Sequence, residues 1–104
     1  TYKQRLEAGL VALGYSLVEG GSGKYTTWMH PDLPTDRTLF VGKNGALRIG
    51  RCATQSTSLC EASTYQWGLE REKKGHPGSP TGYRFYKRVL ELGDGQQVLT
   101  EGLA

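Results

Sequence analysis

The dipeptide Asn44-Gly45 constrains this chain more than any other feature. It lies between two runs that read as strands, Leu39-Phe40-Val41-Gly42-Lys43 and Ala46-Leu47-Arg48-Ile49-Gly50. Asn followed by Gly readily supplies the two positive φ angles of a type I′ turn, so the segment predicts a β-hairpin closed by a two-residue loop. Such a loop fixes register. Lys43 then faces Ala46, Gly42 faces Leu47, Val41 faces Arg48 and Phe40 faces Ile49, and cross-strand partners share a face. One face is therefore expected to hold Phe40, Gly42, Leu47 and Ile49 and to pack under a helix. The other is expected to carry Arg37, Leu39, Val41, Lys43 and Arg48 outward.

The helix is supplied by the first residues. Thr1 and Gln4 have the spacing of a capping box, and Tyr2, Leu6, Leu10 and Leu13 recur on one helical face, with Gly14 placed to end it. A helix over 2–13 follows. The period then changes: 15–18 is short and β-favouring, Gly20 to Gly23 form a flexible turn, and 24–30 is dense in aromatic and β-branched residues. Pro31, Asp32 and Pro34 mark a loop.

Beyond the hairpin the pattern weakens. Residues 52–58 are rich in Thr and Ser without a clear period, 64–69 reads as a strand, and 70–82 is a charged loop rich in Gly and Pro, expected to be the most mobile segment. Residues 83–92 and 96–100 flank Gly93-Asp94-Gly95 and are read as a second hairpin with Asp-Gly in its turn. The competing reading is a helix over 83–92 stopped by Gly93, because Tyr86, Val89 and Leu90 also fit helical spacing. The expected architecture is a single α+β domain over 1–104, with an N-terminal helix packed on an antiparallel sheet built from β-hairpins.

Composition bears on function mainly by exclusion. The chain has 104 residues, 37% apolar and 22% charged, which is globular composition, and its 15 glycines imply many tight turns. No apolar run is long enough for a membrane span, and Thr1 to Glu7 are polar and charged rather than a secretory leader, so the expectation is a soluble, cytoplasmic protein. Cys52 and Cys60 are expected to be free thiols. With His30 and His76 they are the four Cys and His residues of the chain, and their spacing is not that of a zinc knuckle, so neither metal nor cofactor is expected. Each His precedes a proline in loop-like sequence, and Asp32 near His30 is the one orienting partner in view for catalysis. Gly20-Gly21-Ser22-Gly23-Lys24 lacks both the full phosphate-loop pattern and a following helix, and reads as a turn.

The charge distribution is more informative than the net +3: from 37 to 59 the chain carries Arg37, Lys43, Arg48 and Arg51 and no acid, whereas Glu91, Asp94 and Glu101 follow the last base, Arg88. A basic middle suits a polyanion or an acidic protein surface, and equally a solvated strand face. If alternation puts Trp28 on the side of Lys24, an aromatic ring stands among cations and is able to stack a base; the opposite alternation buries Trp28 and turns Tyr25 and Met29 outward. The candidate contact set is Lys24, Trp28, Lys43, Arg48 and Arg51. Tyr83, Arg84, Tyr86, Lys87 and Arg88 form a second aromatic and basic cluster, explained equally by cationic stems covering apolar rings.

The stretch Gly23-Lys24-Tyr25 through His30-Pro31, continued by Leu39-Phe40-Val41-Gly42-Lys43-Asn44-Gly45-Ala46-Leu47-Arg48-Ile49-Gly50-Arg51, resembles a core of small uncharacterised proteins carried by phages and other mobile elements. The resemblance covers about 24–58 and implies a genomic setting with no assigned activity; by analogy, such proteins are inhibitors of host defence, anti-CRISPR proteins among them, or of nucleic-acid machinery. A weaker resemblance is to HicA-type RNA-cleaving toxins, akin to double-stranded-RNA-binding domains, with a helix followed by three strands. Gly21-Ser22-Gly23 falls where that family places Gly-Ser-His, and Gly23 in place of the catalytic His argues against ribonuclease activity. The expected function is non-catalytic binding to nucleic acid or to a protein that handles it. The alternatives are a HicA-like toxin, whose cleavage would depend on His30, and a structural or assembly protein.

Overall fold

The computed structural model describes residues 1–18, 24–75 and 81–103, with side chains for all of these except 53, 81 and 96–103. Helix α1 (Tyr2–Ala12) leads into strands β1 (Ser16–Val18), β2 (Tyr25–Met29), β3 (Thr38–Gly42), β4 (Leu47–Gly50) and β5 (Ser56–Cys60), and helices α2 (Ala62–Lys73) and α3 (Thr81–Leu103) close the chain. The five strands form one antiparallel sheet in sequence order, so the α+β expectation holds. The predicted turn at Gly20 to Gly23 lies outside the described residues, as do 76–80 of the predicted loop.

Helix α1 forms as its sequence dictates. The Gln4 amide N–H donates to the Thr1 hydroxyl at 3.3 Å, and the Thr1 amino group returns a bond to the Gln4 side chain at 3.4 Å. Leu6 and Leu10 are fully buried, and Gly14 leaves the helix at φ +95°.

The hairpin forms, but in a register one residue away from the expected one. The pairs are Leu39 with Ile49, Phe40 with Arg48 and Val41 with Leu47. The Gly42 N–H donates to the Ala46 carbonyl at 2.8 Å and the Gly45 N–H to the Gly42 carbonyl at 3.1 Å, so the loop has three residues, Lys43, Asn44 and Gly45. Gly45 alone takes a positive φ, +81°, and Asn44 stays in the ordinary region, which is a type I turn followed by a left-handed glycine. A slip of one residue exchanges the faces. Leu39, Val41, Leu47 and Ile49 therefore face the helices together, while Phe40 moves to the side of Arg48. The physical reason is burial: this register puts four branched aliphatic side chains inward, where the type I′ register would have put Gly42 inward and left Leu39 and Val41 out.

The same geometry corrects the placement of Trp28. It pairs with Leu39, is only 5% exposed, and donates its indole N–H to the Thr26 hydroxyl at 3.0 Å, which in turn donates to Glu7 of α1 at 3.0 Å. Trp28 is a core residue, not a member of a basic surface.

The second half departs furthest from expectation. Residues 64–69 belong to a helix, because Tyr65, Gly68 and Leu69 fall on one helical face, with Tyr65 and Gly68 packed against Tyr83 of α3. The predicted second hairpin is instead a single helix, with Tyr83, Tyr86, Val89 and Leu90 fully buried along one side. Gly93 does not turn the chain. A Cβ at Gly93 would stand 2.1 Å from the Arg5 carbonyl oxygen, and one at Gly9 would stand 1.9 Å from the Val89 carbonyl oxygen, so the two glycines let α1 and α3 touch backbone to backbone. Asp94 is recruited next to that contact. Arg5 Nε and Nη2 donate to the two Asp94 carboxylate oxygens at 2.8 Å each.

Those bonds from Arg5 hold the Asp94 carboxyl below its usual range. A carboxylate with a depressed folded-state pKa contributes stability above its unfolded value and loses it as pH falls through the folded one. Asp94→Asn is therefore expected to cost less than about 1 kcal/mol at neutral pH, since Asp94 is 45% exposed and its field is screened. The gap to the parent should close below about pH 4. Urea denaturation across that range checks this; a gap that widens in acid would contradict it.

Candidate functional site

The register of β2 on β3 decides which cations meet. Tyr25 lies opposite Gly42, so Lys24, just before β2, and Lys43, just after β3, come to the same end of the sheet. Both are exposed. With Tyr25, Gly42, Asn44 and Ala46 they line a shallow recess of about 310 Å³. Gly42 makes its floor: a Cβ there would stand 3.1 Å from the Tyr25 ring and 3.2 Å from the Ala46 methyl, so the ring lies across bare backbone. Among the described residues neither lysine forms an ion pair.

The other members of the contact set are dispersed. Arg48 lies mid-strand and is tied to the edge strand, its Nε donating to the Ser56 hydroxyl at 2.8 Å and its Nη2 to the Ser56 carbonyl at 2.7 Å. It clamps β4 to β5. Arg51 follows Gly50, which pairs with Thr38, so Arg51 and Arg37 mark the opposite end of the sheet. Five residue steps at about 3.3 Å each separate Arg37 and Arg51 from Gly42 and Ala46 of the recess, roughly 16 Å in all. Lys24 and Lys43 are thus brought together, Arg48 stands apart, Arg51 is distant, and Trp28 is interior. The aromatic ring at the recess is Tyr25, whose parity with Thr27 and Met29 was the readable signal. In the second cluster Tyr83 and Tyr86 are core, and Lys87 donates to Glu72 at 2.9 Å.

No family model, curated protein or solved structure matches this chain. Chemistry at the remaining reactive groups is sparse. Cys52 and Cys60 are free, the first exposed and the second buried. The Thr54 hydroxyl and neighbouring amides draw the Cys52 thiol below its ordinary range, and burial pushes Cys60 up. His30 Nδ1 accepts from the Asp32 amide at 3.0 Å, a local turn contact. No group of three or more His, Cys, Asp or Glu converges among the described residues, and none of the described helices is long and apolar enough to cross a membrane.

Proposed function

We propose that this chain is a non-catalytic binding module for nucleic acid, with the Lys24–Lys43 recess as its point of contact with the phosphate backbone. The observation that carries the reading is the pairing of two exposed ammonium groups, without acidic partners among the described residues, around an aromatic ring and open backbone. Two compact, mobile cations suit phosphate charge without a demand for base identity, and Tyr25 offers a ring edge beside them. A module of this kind fits the mobile-element resemblance as a protein that occupies nucleic acid or blocks machinery acting on it.

Binding of a labelled oligonucleotide, measured by anisotropy across a salt series, tests the reading. Affinity should fall steeply with salt, and Lys24→Glu with Lys43→Glu should weaken it about tenfold and flatten the slope by roughly 1.5, since each phosphate contact contributes about 0.7 to 0.9. Unchanged affinity in the double variant removes the recess from the proposal. A salt-insensitive partner that survives nuclease treatment in a pull-down would redirect it to a protein surface.

A further inference from the structure

The chain has two tryptophans, and they are disposed oppositely: Trp28 is 5% exposed and Trp67, on α2, is 53% exposed. A lone exposed aromatic needs no special account, but the surroundings of Trp67 are unusual in three respects. One helical turn onward, the Arg71 guanidinium carbon lies 4.7 Å from the Trp67 ring centroid, a stacked cation and ring. The acids of α2 are already engaged, Glu70 with Lys73 at 3.8 Å and Glu72 with Lys87 at 2.9 Å. Arg71 and Lys74, four and seven residues after Trp67, have no acidic partner among the described residues. Finally, the neighbouring Gln66 donates to the Tyr2 hydroxyl, and the Cβ of Tyr2 lies 2.7 Å from where a Cβ on Gly45 would stand. That glycine belongs to the hairpin tip that carries Lys43 and Asn44. Through Tyr2, the turn of α2 that carries Trp67 is therefore linked to the hairpin tip.

We propose that Trp67, backed by Arg71, is a stacking platform for an unpaired base, which makes the ligand single-stranded nucleic acid. This rests on the nucleic-acid reading above and specifies it. Arg71 takes one ring face, and Trp67 as a residue stays 53% exposed, with room for a second partner. A base in a duplex is already stacked on both faces, whereas an unpaired base has a free π-face to offer. The positive stripe of Arg71 and Lys74 complements the backbone that carries it.

Intrinsic tryptophan fluorescence tests the platform, because Trp28 is shielded and Trp67 is not. A thymidine homopolymer should quench the emission, and a duplex of equal length should not. Trp67→Ala should weaken single-strand binding about tenfold, as loss of one stacked base does. Trp67→Phe should keep most of the affinity and lose the quench. Lys24→Glu with Lys43→Glu should lower affinity while leaving the quench at saturation. Single-strand binding with unchanged emission and unchanged affinity in Trp67→Ala overturns the platform and leaves the lysine recess standing. Equal duplex binding, indifferent to Trp67, overturns it as well, and no binding to either probe removes both proposals. Should Trp67→Ala fail to fold, the Trp67→Phe and wild-type titrations decide alone.

Discussion

Gly93→Ala is expected to destabilise the protein by about 2 kcal/mol or more, although alanine is the better helix former. In an isolated helix the exchange would gain up to about 1 kcal/mol. Here the new methyl would stand 2.1 Å from the Arg5 carbonyl oxygen, 3.0 Å from the Gly9 nitrogen and 3.1 Å from the Arg5 carbonyl carbon. All three are backbone atoms of α1 and have no rotamer to change. Relief requires the two helices to separate, which strains the Arg5–Asp94 bonds and opens the packing of Leu6 and Leu10 against Val89 and Leu90. Overpacking of this kind costs about 1 to 3 kcal/mol and occasionally more. Two residues along the same helix, a Cβ at Gly95 would meet nothing within 4 Å, so Gly95→Ala should stabilise by up to about 1 kcal/mol. The opposite signs are the test. Gly9→Ala should behave like Gly93→Ala, and the double variant should cost less than the sum, because one outward shift of α3 relieves both clashes. Denaturant midpoints for the four proteins decide it; a neutral Gly93→Ala would mean that the helices do not approach this closely.

That contact also explains what was legible in the sequence and what was not. Thr1, Gln4 and the spaced leucines of α1 act within a few residues of one another, so the helix could be read directly. Strands β1 to β4 were readable for the same reason: alternation and turn residues are local. Gly93-Asp94-Gly95 has equally strong turn chemistry, yet its conformation is set by Arg5 and Gly9, more than eighty residues away in sequence. Thr64-Tyr65-Gln66-Trp67 carries β-favouring residues, and tertiary packing of Tyr65 and Gly68 outweighs that preference. The hairpin shows the limit most plainly. Asn44-Gly45 announced a reversal, but two-residue and three-residue loops share that dipeptide, and the choice between them moved the side chains of β3 to the other face while those of β4 stayed on theirs. Lys24 and Lys43 sit at strand ends, and their approach follows from the pairing of β2 with β3, which no local pattern spelled out. Trp28 did not survive as a surface group, since alternation groups residues by face without saying which face is covered.

Tyr86→Phe is expected to lower stability by about 1 to 3 kcal/mol and to weaken the recess without altering a charge in it. The Tyr86 ring is fully buried, and its hydroxyl donates to the Gly45 carbonyl at 2.6 Å. Burial pushes that phenol far above its ordinary range, so it is protonated and able to donate at neutral pH. Removing the oxygen leaves the Gly45 carbonyl inside the protein without its partner, and a buried acceptor left unmade costs more than the bond contributed. The loss falls at the hairpin tip. Gly45 is held by Tyr86 on one side and by Tyr2 on the other, and the two residues before it are Asn44 and Lys43 of the recess. The amides of Gly42 and Gly45, which close the loop, should exchange faster in Tyr86→Phe, while those of β2 change little. Oligonucleotide affinity should drop with the salt slope preserved, since both lysines remain and only their placement loosens. Charge reversal at Lys24 and Lys43 should do the opposite and change the slope. A Tyr86→Phe protein that loses stability but binds as tightly as the parent would show that the lysines act as mobile charges, and that the core does not position them.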